Sequence, residues 1–173
     1  MIYDEILLYT DKVNFKLISI KATCMADTLK GDDGAPRFLI KGQYVKDLSF
    51  ENPHSPHSLI ALEEKPRIEF SVDLRTQRFN EQHFELTLHL AARAMGKDNT
   101  LFLAELDYAG IVQFIGIPED KVEPILCIDC AFVLFPFARR VMADVTRDGG
   151  FPPLMLEPID FHALYVQKKQ QKK

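Results

Sequence analysis

The sequence predicts an α+β fold: a four-stranded antiparallel sheet with helices on one face. Three observations carry that prediction. Three successive segments alternate apolar and polar residues with a period of two, which is the signature of strands packed on one face only. The gaps between them are of hairpin length. Helical spacing of apolar residues begins only after the last alternating segment, so strands come first and helices afterwards.

A linker of hydrophilic and glycine residues, Lys30-Gly31-Asp32-Asp33-Gly34-Ala35-Pro36, precedes the first strand, expected over 38–51. Phe38, Ile40, Tyr44, Val45, Leu48 and Phe50 mark that strand, and its alternation slips near Tyr44-Val45, which predicts a β-bulge. A loop rich in proline and histidine, residues 52–57, follows. In 67–75, Ile68, Phe70, Val72 and Leu74 oppose Arg67, Glu69, Ser71, Asp73 and Arg75. In 84–94, Phe84, Leu86, Leu88, Leu90 and Ala92 oppose Glu85, Thr87, His89 and Arg93. In 101–108, Phe102, Ala104, Leu106 and Tyr108 oppose Leu103, Glu105 and Asp107. After Ala109-Gly110 the run 111–117 reads as an irregular apolar crossing. Pro118-Glu119-Asp120 opens a short helix, with proline and acids where a first turn favours them. A longer helix is expected over 131–147, with Val133, Leu134, Phe137, Val141, Met142 and Val145 on one face, Pro136 in or near its first turn and Gly149-Gly150 at its end. Asp160 is placed to cap a last helix carrying Phe161, Leu164 and Tyr165.

The chain divides into an N-terminal extension and linker (1–37, expected to be flexible), one folded domain (38–165) and a basic tail (166–173). Residues 1–24 are expected to be dispensable, with Met1 and Met25 both open as the natural start, and the clusters Ile6-Leu7-Leu8-Tyr9 and Val13 to Ile20 would also suit an added strand. Formal net charge is -4. Four lysines of the tail contribute +4, so the remainder sums to about -8. An acidic body disfavours nucleic acid, whose phosphates require clustered Lys and Arg, and favours a basic partner. Three cysteines make no disulfide framework. No apolar run reaches the length of a membrane span and the N-terminus lacks a signal-peptide pattern, so the reducing cytoplasm is the expected compartment.

Chemistry-bearing motifs are sparse. Phosphate-binding glycine loops, nucleophile elbows and zinc-protease helices are absent, so neither a cofactor nor an enzymatic activity is expected. Cys127-Ile-Asp-Cys130 together with His54-Ser-Pro-His57 has the composition of a two-Cys, two-His zinc site, and the cysteines alone that of a redox pair. Against this, both cysteines sit among Ile125, Leu126 and Phe132, where a free thiol is a small core residue, and both histidines flank prolines in a loop. No metal is therefore assigned. Asp47, Glu51, Glu105 and Asp107 form either a solvated acidic face or a partner-binding patch.

Several stretches resemble the SecB family of bacterial export chaperones. Tyr44-Val-Lys-Asp-Leu-Ser-Phe-Glu-Asn-Pro-His-Ser-Pro-His57 looks like the family's first-strand signature, Y-x-K-D-x-S-F-E-x-P-x-x-P. Ala109-Gly-Ile-Val112 with Gly116-Ile117 is similar to its glycine turn and crossover. Leu134-Phe-Pro-Phe-Ala-Arg139 is similar to its helix motif, and 149–165 to its glycine-rich loop and final helix. The resemblance spans 38–165. It implies an ATP-independent holdase that keeps unfolded secretory precursors export-competent and delivers them to the SecA ATPase. It also implies a homotetramer, a dimer of dimers, with no membrane insertion. By that resemblance SecA contacts fall on Asp47, Glu51, Leu103 and Glu105, subunit association on Ala104, Leu106 and Tyr108, and the client groove on Phe102, Ile111, Val112 and Phe137. The sequence departs from the family in two places. Glu63-Glu64-Lys65 precede Pro66 where an aromatic is common, and the tail is basic where the family's is often acidic. Two alternatives stand beside this reading: a SecB-like chaperone of a toxin–antitoxin pair, and, in another class, a C-x-x-C thiol protein.

Overall fold

A computed structural model of the chain describes residues 35–60, 66–97 and 99–171. The expectations for residues 1–24 therefore lie outside the described residues. Four strands, β1 (Arg37–Glu51), β2 (Arg67–Arg78), β3 (His83–Met95) and β4 (Thr100–Ile115), form one antiparallel sheet in the order β1-β4-β3-β2. Between β1 and β2 lies a short helix, α1 (His57–Ile60), which begins at the last residue of the loop expected over 52–57; its Ser58 hydroxyl donates to Asn52 Oδ1 at 2.7 Å. After the sheet come α2 (Glu119–Ile125), α3 (Ala131–Asp148) and α4 (Phe161–Gln171), with a π-helical turn at Leu126–Cys130 joining α2 to α3.

The alternation in the sequence maps onto the two faces of this sheet. Leu86, Leu88 and Leu90 of β3 and Ala104, Leu106 and Val112 of β4 are buried together with Leu126, Leu134, Ala138 and Met142 of the helical layer. Gly110 makes the layers close: a Cβ there would lie 2.7 Å from Leu134 Cδ1, so α3 rests directly on the β4 backbone. β4 thus does not end at Ala109-Gly110 as expected but continues to Ile115. The glycine serves close packing rather than a turn.

Helix α3 differs from expectation in its faces. Ala131, Leu134, Phe135, Ala138, Met142 and Thr146 form the buried side. Val133 and Phe137, expected with them, are exposed, and Val141 and Val145 are half-buried, so α3 carries a second apolar stripe. Gly150, with φ of +88°, ends the helix: its N–H donates to Arg147 O at 3.0 Å while the Phe151 N–H donates to Thr146 O at 3.1 Å. Asp160 caps α4, accepting from the Ala163 N–H at 2.9 Å. α4 continues beyond Tyr165 through much of the basic tail, where Lys168 Nζ bonds both Asp73 Oδ1 and Leu74 O of β2 at 2.6 Å. Burial raises the Asp73 pKa, but its bonds to Lys168 and the backbone lower it more, leaving it below the usual carboxylate value.

Candidate functional site

The helix-free face of the sheet gathers the acids that the sequence singled out. Glu51 is paired with Leu103, Ser49 with Glu105 and Asp47 with Asp107 across the β1–β4 ladder. Residues paired in register share a face, so Asp47, Glu51, Leu103 and Glu105 all project from the side opposite α3. Bulges in β1 make this arrangement. Register shifts lie between Ile40 and Gly42 and between Val45 and Asp47. Each inserts one residue, Lys41 or Lys46, and each switches which alternate residues face the helices. The slip near Tyr44-Val45 is the second of these; the first has no counterpart in the sequence reading.

The acids on this face fall into two electrostatic groups. Asp107 is held by His89 Nδ1 at 2.6 Å and Arg75 Nη1 at 3.3 Å. Glu85, only 4% exposed, accepts from Lys46 Nζ at 2.7 Å and from the Tyr44 hydroxyl. Burial raises the Glu85 pKa, yet the bonds from Lys46 and Tyr44 outweigh it and hold the carboxyl below its ordinary value. The same hydrogen bond to Glu85, with burial, raises the Tyr44 hydroxyl. Asp47, Glu51 and Glu105, by contrast, are exposed and form no ion pair among the described residues. Their charge is available to a partner; that of Glu85 and Asp107 is already used inside the fold.

On the opposite side, the expected interface residues have a different role. Ala104 and Leu106 are 0% exposed and Tyr108 is buried, on the face of β4 that α3 and its neighbours cover. Burial also raises the Tyr108 hydroxyl pKa. Within the single chain these three side chains belong to the core: alternation separates them from Leu103 and Glu105, and the face they share is the one that the chain's own helices cover.

The expected groove residues are likewise divided. Phe102 is buried, with its ring centroid 5.0 Å from Phe151 and 5.7 Å from Phe50. Val112 is fully buried and Ile111 lies on the helix-free side opposite Glu85. Of the four, Phe137 alone is an exposed apolar side chain, 42% open. The recesses lie elsewhere. One of about 500 Å³ is lined by Phe132, Phe135, Pro136, Met155, Pro158 and Ile159, with Arg139, Arg140 and Ala143. A second, of about 550 Å³, shares Phe132 and Ile159 with it and adds Phe38, Ile128, Val133 and Phe161, with Asp129, Asp160 and His162 as polar groups. Together they run between α3 and the extended segment 152–160 before α4. The sequence signal for them is that Phe132, Val133 and Pro136 exceed what a single buried stripe needs.

The cysteines have no reactive setting. Cys127 and Cys130 are buried in the π-helical turn, and burial, helped by Asp129 and Cys127, pushes the Cys130 thiol up to about 12. A thiol so placed remains protonated and unreactive at neutral pH. His54 and His57 do not join them: among the described residues no group of three or more His, Cys, Asp or Glu side chains is arranged to hold a metal. Among the described residues, too, no helix is long and apolar enough to cross a membrane.

Comparison with known proteins decides what this architecture is. The family model "Preprotein translocase subunit SecB" matches residues 31–172. The chain belongs to the SecB family. A Protein-export protein SecB of Parvibaculum lavamentivorans is 51% identical over 137 residues, covering 79% of this chain and 82% of that protein. One of Maricaulis maris is 47% identical over 131 residues, covering 76% of each. Among solved structures, a SecB-like chaperone of Mycobacterium tuberculosis, in complex with an antitoxin peptide, superposes with a TM-score of 0.61 at 15% identity, covering 71% of this chain and 91% of that one. At that identity the likeness is one of fold.

Proposed function

We propose that the chain is a cytoplasmic, ATP-independent export chaperone that holds unfolded precursors and passes them to SecA. The observation that carries this reading is the SecB match over residues 31–172, which includes every described element of the fold. The physical features support it. The recesses between α3 and segment 152–160 offer apolar and aromatic surface with few polar groups, which suits extended chains of varied sequence. Holding requires no hydrolysis, and the energy for transport belongs to SecA. The folded unit runs from β1 through α4, whose Lys168 ties it to β2.

The partner assignments follow the two sides of the sheet. Asp47, Glu51 and Glu105, flanking Leu103, form the docking face for a basic patch on SecA. Homotetramer formation uses apolar surface on the helix side: Val133 and Phe137 of α3, with Val45 and Leu48 of β1, all of which stand exposed in the single chain. Ala104, Leu106 and Tyr108 act on association only by setting the seat of α3.

The test is aggregation of a slow-folding precursor diluted from denaturant. Stoichiometric chaperone should suppress light scattering equally with and without ATP. Suppression only with ATP would overturn the assignment.

A further inference from the structure

Glu85 stands on β3, two strands away from β1, yet both of its carboxylate oxygens are engaged by β1 side chains. Tyr44 donates to Oε1 and Lys46 Nζ to Oε2 at 2.7 Å. Lys46 is the inserted residue of the second bulge, between Val45↔Tyr108 and Asp47↔Asp107. Without that insertion Asp47 would fall opposite Leu106, on the side of the sheet that the helices cover. With it, Asp47 shares the helix-free face with Glu51 and Glu105. Among the described residues β1 pairs only with β4, at the edge of the sheet, and a bulge on such a strand has few ladder bonds of its own to hold it. A buried carboxylate that grips the inserted residue and the residue two before it supplies the missing constraint.

We propose that Tyr44, Lys46 and Glu85 form a clasp that locks the β1 bulge, making Lys46 and Glu85 positioning residues that aim Asp47 at SecA. Lys46 is thus not a docking residue itself, although it neighbours one and is partly exposed. Its positive charge would oppose a basic partner, and Glu85 holds that ammonium away from Asp47. The inference rests on the reading of Asp47, Glu51 and Glu105 as the SecA face, and its experiment separates the two.

Full-length Lys46→Met, Lys46→Arg, Glu85→Gln and Asp47→Asn proteins, and the Lys46→Met/Asp47→Asn double variant, would be compared in two assays. The first needs no partner: amide hydrogen exchange of residues 44–48 in the free chaperone should speed up in Lys46→Met and Glu85→Gln and stay near wild type in Lys46→Arg. The second is SecA affinity. Lys46→Met should weaken it on the order of fivefold or more, Lys46→Arg should restore most of the loss, and Lys46→Met should add nothing once Asp47 is Asn. Client binding should be unchanged throughout. Unaltered exchange in both Lys46→Met and Glu85→Gln would overturn the clasp. Additive losses in the double variant would overturn positioning in favour of an independent contact by Lys46. If Glu105→Lys left SecA affinity untouched, the docking reading would fall, and the exchange assay would still decide the clasp.

Discussion

Glu51 on β1 and Leu103 on β4 are directly opposed in the ladder, with Glu105 two residues further along β4 on the same face. An apolar side chain flanked by exposed acids that form no ion pair among the described residues combines a contact point with a field that attracts a basic partner. Glu105→Lys should therefore weaken SecA binding by about tenfold or more at low ionic strength, since it exchanges an attractive charge for a repulsive one. The wild-type affinity should itself fall as salt is raised. Aggregation suppression should be unaffected, because the apolar recesses lie across the sheet. Parallel SecA titrations and light-scattering assays check both; equal loss in the two would reject the separation of faces.

The layer buried between β4 and α3 and the exposed face of α3 make opposite predictions for similar substitutions. Leu106→Asp places a carboxylate in the fully buried layer between β4 and the helices, without a partner, and should cost about 3 kcal/mol or more of folding stability. Phe137→Asp changes a side chain already 42% open and should leave the single-chain fold close to wild type while dissociating the tetramer. Denaturant melts and light scattering distinguish the outcomes. A stable Leu106→Asp dimer would return the interface to β4.

How much of this was legible beforehand depends on how local the cause is. Period-two alternation in β2, β3 and β4 determines faces residue by residue, so Glu105 and Leu106 were correctly opposed. Which face the helices would cover was not local, so nothing in the alternation said that Ala104, Leu106 and Tyr108 would be buried by their own chain. Gly110 was read as a turn because glycine has two uses, free φ and close approach, and only the position of Leu134 selects the second. Asp160 as a cap and Gly149-Gly150 as a stop were legible because both act within a few residues. Glu85 carried no signal beyond its place on the polar side of 84–94; the residues that bury and bind it come from another strand about forty positions away. The recesses beside α3 were not legible for a related reason. Phe132 and Ile159 are far apart in sequence, and the segment joining α3 to α4 has no periodicity to reveal which side chains turn outward.

Gly110 gives a sharp packing test. Gly110→Ala would bring a methyl to 2.7 Å from Leu134 Cδ1, closer than Cβ atoms tolerate, and Leu134 is itself fully buried. α3 must then lift from β4 or Leu134 must leave its rotamer, at about 1–3 kcal/mol. Leu134→Ala alone should also destabilise, by about 2–5 kcal/mol, through the cavity it leaves. Combining the two should cost less than the sum of the single losses, because the added methyl fills part of that cavity. A double-mutant cycle by denaturant unfolding checks this, and strict additivity would show that the two positions do not meet.

Glu85 makes stability depend on pH in the acid range. Its carboxyl titrates below its ordinary value of 4.5 in the folded chain, because the bonds from Lys46 and Tyr44 outweigh the effect of burial. A group whose folded pKa is depressed contributes stability that is fully present above its unfolded pKa. That contribution must decline as pH falls from about 4.5 through the lower folded value, because the unfolded chain takes up the proton first. Glu85→Gln cannot titrate, so it should be less stable than wild type at pH 7, and the difference should shrink steadily below about pH 4.5. Asp73, also held low, contributes a slope of the same sign to both proteins and cancels from the comparison. Urea unfolding of the two proteins between pH 7 and pH 3 measures the difference directly. A gap that stays constant across that range would mean that Glu85 carries no net charge–charge stabilisation, leaving Lys46 without the partner that fixes the bulge.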